Sequence, residues 1–186
     1  MPPSPRSRRR RQAGFTLIEV LLVTAIISSV PYDSYLNAQQ KGVQTQCQGS
    51  LRQLGQLIQL YVDENEKYPA AAFYPKDPKD GADSLAKILG GDARLFVCPA
   101  LPAKLQATGL NFVYNDALAG KKGVANPEKT WLLIEFTCVA ADAPHPHPNG
   151  YNILYADGHV EATKELPPEL VKLQQQAKQA QDAKKP

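Results

Sequence analysis

The sequence predicts an α+β fold, in which a long N-terminal helix packs on a small antiparallel sheet. An apolar run over residues 15–30 is followed by an apolar stripe at helical spacing that reaches Tyr61. Farther along the chain, Asp157-Gly158 stands between two extended runs, which is the strongest short-range signal for a β-hairpin. Antiparallel strands that pack on a helix form an α+β domain.

The basic charge of the chain is concentrated at its N-terminus. Five arginines lie within the first fourteen residues, which contain no Asp or Glu: Arg6, Arg8, Arg9, Arg10 and Arg11. Without those five, Lys plus Arg falls from 21 to 16 against 18 Asp plus Glu. The sequence therefore predicts a short basic leader and no nucleic-acid surface. An arginine-rich arm that binds nucleic acid is the alternative, and the apolar residues that follow argue against it.

The apolar run contains one charged residue, Glu19. As a helix, residues 15–30 span about 24 Å, which is less than the ~30 Å hydrocarbon core of a bilayer. By length alone the run could be a signal-peptide core, a short membrane anchor or a buried helix. The preceding arginines mark the cytoplasmic side. An unpaired carboxylate within a membrane helix costs about 2.5–3.5 kcal/mol, so we expect a compensating positive charge.

The segment Gly14-Phe15-Thr16-Leu17-Ile18-Glu19 resembles the processing motif of type IV prepilins and type II secretion pseudopilins. The resemblance implies that a prepilin peptidase, which is also an N-methyltransferase, cuts after Gly14 and methylates the new N-terminal Phe15. Glu19 then becomes the fifth residue of the mature chain. Its carboxylate is expected to pair with the cationic amine of a neighbouring subunit, because each charge makes the other tolerable at low dielectric.

This resemblance divides the chain into five segments. They are a cleaved leader (1–14), a membrane and filament-core helix (15–30), an amphipathic spine (31–66), a globular α+β head (67–164) and a polar, disordered tail (165–186). The stripe of the spine comprises Leu36, Val43, Cys47, Leu51, Leu54, Ile58 and Tyr61. Pro31 departs from the family pattern, in which the apolar run is longer. The implied location is the inner membrane, single-pass, with the head in the periplasm or outside the cell.

Within the head, local patterns predict five elements. They are a helix over 84–89 that ends at Gly90, a short extended piece over 95–99, strands over 111–115 and 130–138, and a hairpin over 151–162. The second strand is apolar nearly throughout, as a central strand would be. The hairpin is predicted to turn through Asp157-Gly158 in a type I′ turn.

Three cysteines give an odd count: Cys47, Cys98 and Cys138. An exported domain can hold one disulfide, and Cys98 with Cys138 is the predicted pair because both fall within the globular part. Three separate buried thiols are the alternative. The absence of CxxC spacing argues against a thiolate zinc site.

His147, nine intervening residues and then Asp157-Gly158 are similar to a C-terminal motif of a pilin-like group. We interpret the motif as architectural, with His147 bonding Asp157 or a nearby carbonyl. A metal site built from His145, His147, Asp157 and His159 is the alternative, because these are ligand-type residues close in sequence. The sequence otherwise predicts no metal and no cofactor.

The resemblance predicts a structural subunit and not an enzyme. An anchored metallohydrolase that uses the histidine cluster is one alternative, but no nucleophile elbow, HExxH or acid pair supports it. Its expected partners are the prepilin peptidase, other pilin or pseudopilin subunits and the membrane. Whether the filament is a type IV pilus or a secretion pseudopilus stays open. A membrane-anchored binding module is the alternative function, with a metal-binding head as its variant.

Overall fold

A computed structural model describes residues 15–28, 32–139 and 145–182. The chain forms two compact units, which divide between Ala38 and Gln39. Gly14, the arginine-rich leader and Pro31 lie outside the described residues. The fold confirms the α+β prediction, because an N-terminal helix is followed by an antiparallel sheet of four strands.

The first unit contains helix α1, Leu17–Ser28, and the beginning of helix α2, which spans Tyr32–Asn65. Helix α1 is apolar on all sides, and its large side chains are exposed: Leu17, Ile18, Val20, Leu21, Leu22, Val23, Ile26 and Ile27. An apolar surface of this kind marks a site of contact with lipid or with other protein chains. Within the described part of the chain, the structure contains no helix that is both long enough and apolar enough to cross a membrane.

The second unit contains the rest of α2, three further helices and the sheet. The remaining elements are, in chain order, α3 (Leu85–Leu89), α4 (Ala103–Gln106), β1 (Phe112–Tyr114), β2 (Trp131–Glu135), β3 (Tyr151–Tyr155), β4 (Val160–Thr163) and α5 (Pro168–Asp182). The strands follow one another in the sheet as an antiparallel meander, β1-β2-β3-β4. The prediction that the strand beginning near Thr130 is central is confirmed, since β2 pairs with strands on both sides.

Both faces of the sheet are covered. Side chains alternate between the faces of a strand, so the neighbours Leu133 and Ile134 belong to two different apolar clusters. One cluster includes four buried side chains of the α2 stripe: Cys47, Leu51, Leu54 and Ile58. The other includes Leu170 of α5. A strand buried on both faces needs a continuous apolar run, which explains the sequence of β2.

Helix α2 approaches the sheet closely at Gly55. A Cβ atom placed on this glycine would lie 3.1 Å from Leu154 Cδ1 on β3. The missing side chain therefore sets how near the helix lies to the strand, and it explains a glycine inside the best-packed part of the stripe.

The predicted hairpin is confirmed, but its predicted turn type is wrong. The Gly158 N–H donates to the Tyr155 carbonyl, and the Tyr155 N–H donates to the His159 carbonyl. The loop therefore has three residues, 156–158. Gly158 has φ of 90°, whereas Asp157 does not adopt positive φ. This is a type I turn closed by a left-handed glycine, and it needs one positive φ where a type I′ turn needs two.

Gly158→Val is expected to lower the free energy of unfolding by about 1–3 kcal/mol, because a β-branched residue is strained at positive φ. No heavy atom lies within 4 Å of a Cβ placed at Gly158, so the loss would come from the backbone alone. Gly123→Val is the control, because its surroundings are equally open and its φ is not left-handed. Urea unfolding of both variants checks this, and equal losses would contradict the argument.

Three further predictions of local structure need correction. The piece expected to be extended over 95–99 begins as a 3₁₀ helix, Ala93–Phe96, because the Asp92 side chain accepts a hydrogen bond from the Arg94 N–H and caps it. The strand predicted to reach Cys138 ends at Glu135 and continues as a 3₁₀ helix, Phe136–Val139. The tail predicted to be disordered contains α5, which Leu170 anchors because its side chain is fully buried. The predicted helix that ends at Gly90 is confirmed as α3.

Candidate functional site

The predicted assembly residue Glu19 lies in the first turn of α1. The Thr16 N–H donates to Glu19 Oε2 at 2.8 Å, and the Glu19 N–H donates to Thr16 Oγ1 at 3.3 Å. This reciprocal pair is a capping box, which satisfies two backbone donors at a helix start. The box was not predicted from the sequence, although Thr-x-x-Glu before an apolar run is its signature. Glu19 therefore has a local role in addition to the predicted pairing.

Phe15, the predicted methylation site, immediately precedes this box, and its side chain is 88% exposed. The predicted cleavage bond joins Phe15 to Gly14, which lies outside the described residues. Cleavage there would leave a free amine four residues before the Glu19 carboxylate in sequence. Cleavage would therefore place a cation and an anion at the same end of an exposed apolar helix.

In the second unit, a buried carboxylate organises the polar groups of the head. Glu135 ends β2 and is fully buried. Its Oε2 accepts from the Asn152 N–H at 2.6 Å, and its Oε1 accepts from Asn152 Nδ2 at 2.8 Å. His147 Nε2 lies 3.2 Å from the same Oε1. These three contacts satisfy a group that would otherwise be very costly to bury.

The Glu135 network extends to helix α2. Asn152 Oδ1 accepts from Gln48 Nε2 at 3.1 Å and from Gln44 Nε2 at 3.4 Å. One chain of hydrogen bonds therefore joins the helix, β3, β2 and the loop that carries His147. The roles of Glu135, Asn152 and the two glutamines were not predicted, because their partners are distant in sequence.

His147 has an architectural position, but both predicted partners of its ring, Asp157 and a nearby carbonyl, are wrong, because Nε2 lies beside Glu135 Oε1 and Cys98 Sγ. His147 lies before β3, and it forms a bridge with Gly150. Asp157 follows β3 at the far end, where the ring and the N–H of His159 bind its carboxylate, the ring at 2.6 Å. Partial burial of Asp157 opposes ionisation, but these hydrogen bonds from His159 prevail and lower the pKa of Asp157.

The alternative metal site is not assembled either. His147 and the Asp157–His159 pair lie at opposite ends of β3, whose residues each advance about 3.4 Å. His145 packs edge-on against Tyr151, with ring centroids 4.9 Å apart. The four residues proposed as ligands therefore do not converge, because two of them precede β3 and the other two follow it.

The predicted disulfide is wrong in one partner. Cys98 is joined to Cys47, whose position on the buried stripe of α2 brings it to the head. Cys138 is a free, buried thiol. Burial, together with the negative charge of Glu135, raises the pKa of Cys138 far above its usual range, so this thiol stays protonated and unreactive.

Potential metal ligands do converge at this disulfide. The ligand atoms of Cys47, Cys98 and His147 all lie within 4.8 Å of one another, and all three residues are buried. His147 Nε2 lies 3.6 Å from Cys98 Sγ, while its Nδ1 has no hydrogen-bond partner among the described residues. Thiolate sulfur and imidazole nitrogen are the usual ligands of zinc.

Comparison with known proteins adds one finding. Residues 9–30 match the family model described as the prokaryotic N-terminal methylation motif. No curated protein and no solved structure matches the chain. The match implies processing by a prepilin peptidase and suggests a membrane-anchored pilin. It supports a prepilin-like protein of the type IV pilin or pseudopilin kind.

Proposed function

We propose that the chain is a filament subunit of a type IV pilus or a type II secretion-like pseudopilus. The peptidase cuts after Gly14, Phe15 is N-methylated, and the subunit polymerises through its N-terminal helix. The observation that carries the proposal is the methylation motif over residues 9–30, within which Glu19 is the charged residue of the apolar helix. The exposed apolar surface of α1 supports it, because such a surface requires lipid or other subunits as partners.

In this proposal the chain has a distinct partner at each stage. Before processing, residues 15–30 anchor it in the inner membrane, with the arginine-rich leader in the cytoplasm and the head in the periplasm. After processing, the spine (31–66) joins the filament core to the head (67–164), and other subunits replace lipid around α1. The motif formed by His147, Asp157 and Gly158 serves the internal structure of the head. Its histidine joins the Glu135 network, and its Asp-Gly pair closes the hairpin.

Gly14→Val is expected to block processing, because the family's peptidase accepts no bulk at the position before the cut. In cells that contain a prepilin peptidase, wild-type protein should lose residues 1–14 and gain the mass of one methyl group. The variant should accumulate in the membrane at the precursor mass. Intact-mass spectrometry measures both changes together, and a mature mass from the variant would overturn the processing assignment.

Glu19→Gln is expected to leave membrane insertion and cleavage intact and to reduce filament assembly at least about tenfold. Glutamine preserves the capping box with Thr16 but removes the charge that would pair with a neighbour's amine. Thr16→Ala is the matched control, because it weakens the box and keeps the charge. Filament yield in sheared or pelleted fractions provides the measurement. Normal filament yield from Glu19→Gln, or an equal loss from Thr16→Ala, would refute the charge-pairing argument.

A further inference from the structure

We propose that Cys47, Cys98, His147 and Glu135 form a zinc-binding site when the Cys47–Cys98 disulfide is reduced. This inference concerns the head alone and does not rest on the filament function. The residues come from four separate segments: the α2 stripe, the loop after the first 3₁₀ helix, the end of β2 and the loop before β3. The ligand atoms of Cys47, Cys98 and His147 lie within 4.8 Å of one another. Glu135 Oε1 lies 3.2 Å from His147 Nε2.

The distances around His147 Nε2 match the edges of a zinc tetrahedron. With Zn–S near 2.3 Å, Zn–N near 2.0 Å and Zn–O near 2.1 Å, the N···S edge is about 3.5 Å and the N···O edge about 3.3 Å. The structure places Nε2 3.6 Å from Cys98 Sγ and 3.2 Å from Glu135 Oε1. Two of the six edges thus already have the required length. The other four form when the disulfide opens, because the sulfurs of Cys47 and Cys98 can then separate and approach Glu135.

The surroundings of Glu135 provide the outer contacts that a metal ligand needs. The Asn152 side chain and its backbone N–H hold the carboxylate in place, and such outer partners fix the orientation of a ligating group. The four proposed ligand residues and Asn152 are all buried, so the site excludes bulk water. Two thiolates and one carboxylate supply negative charge for the cation, and neutral imidazole completes the set.

A route to the site is also present. A surface cleft of about 530 Å³ is lined by His147 together with Pro99, Val43 and their neighbours. When Nε2 binds a metal, the proton of the ring resides on Nδ1, which has no protein partner among the described residues. The cleft therefore provides an entry path that reaches the residues beside the site.

The change between the two states is a balanced reaction. A dithiol reductant attacks the disulfide, gives two electrons and two protons to the sulfurs of Cys47 and Cys98, and leaves as a cyclic disulfide. Zn²⁺ then displaces the two thiol protons and binds both thiolates, His147 and Glu135. The same two cysteines thus link α2 to the head in either state, through a covalent bond when oxidised and through the metal when reduced.

The test uses the full chain in detergent, treated with a phosphine reductant and then titrated with Co²⁺ as a spectroscopic substitute for Zn²⁺. Reduced protein should bind one equivalent and show thiolate-to-cobalt charge transfer with the intense d–d bands of a tetrahedral site. Zn²⁺ should displace the cobalt, and it should raise the melting temperature of the reduced chain. Protein that has kept its disulfide should show none of these changes.

Variants locate the site. Cys47→Ser, Cys98→Ser and His147→Ala should each weaken Zn²⁺ binding by more than the 10–100-fold typical of an outer-shell partner. Cys138→Ser and His159→Ala are the matched controls and should bind as the wild type does. The proposal fails if the reduced wild type binds no stoichiometric metal, or if the Cys47 and Cys98 variants retain the thiolate bands. It also fails if the reduced chain unfolds and Zn²⁺ does not restore its circular dichroism.

Discussion

Replacing Glu135 with alanine is expected to lower the free energy of unfolding by about 3–5 kcal/mol, because it removes a buried acceptor that several buried donors share. The variant would leave three donors without an acceptor in the core: the Asn152 N–H, the Asn152 side-chain amide and the His147 ring. Each buried donor without a partner costs about 1–3 kcal/mol. Urea unfolding of the full chain in detergent, followed by circular dichroism, provides the measurement.

Two further variants separate the role of this carboxylate from a general effect of removing charge. Glu135→Gln retains the shape and one acceptor oxygen but points an amide towards an N–H donor, so it should fall between alanine and the wild type. Glu128→Ala removes an exposed carboxylate and should change stability by no more than about 0.5 kcal/mol. A loss below about 1 kcal/mol for Glu135→Ala would show that the network contributes little to the fold.

Loss of the Cys47–Cys98 disulfide is expected to cost about 4 kcal/mol in the absence of metal. The two residues are 51 apart in sequence, and closing a loop of that length in the unfolded chain accounts for a loss of about this size. Cys47→Ala and Cys98→Ala should each produce the effect, as should a reductant acting on the wild type with a chelator present. Urea unfolding of the oxidised and reduced proteins gives the comparison.

Cys138→Ala provides the control for this experiment. Its thiol is buried but unpaired, so the variant should lose only packing and should remain sensitive to reductant. The Cys47 and Cys98 variants should be insensitive to reductant, because they have no disulfide left to open. If Cys138→Ala abolished the sensitivity instead, Cys138 would be a disulfide partner and the Cys47–Cys98 pair would be refuted.

The features that the sequence predicted well are those determined by neighbouring residues. The α2 stripe, the hairpin at Asp157-Gly158 and the helix that ends at Gly90 each depend on periodicity or turn chemistry within a few residues. The exact turn was missed because Asp-Gly fits two loop lengths, and only the hydrogen bonds of Tyr155 distinguish them.

The features that the sequence could not predict depend on distant partners. Cys47 was already placed on the buried stripe, yet nothing in the spacing of the cysteines indicates which one it meets. Glu135 ends an apolar strand, and a carboxylate at such a position suggests an exposed strand end until His147 and Asn152 are brought beside it. Helix α5 was missed because Leu170 is one of few apolar residues in a polar segment, although it covers the second face of the sheet.

The position of the disulfide along α2 has a mechanical consequence. A pulling force that enters the second unit from the N-terminal side of the helix reaches Cys47 before it reaches Leu51, Leu54 and Ile58. The force then passes through the covalent bond to Cys98. It does not act on the apolar contacts of Leu51, Leu54 and Ile58, because these residues lie between the two cysteines along the chain. The chain between the two cysteines, which are 51 positions apart, cannot extend, and this keeps about 170 Å of chain from unravelling at the ~3.4 Å that each extended residue spans. With the bond closed, the helix cannot be peeled from the sheet by tension alone.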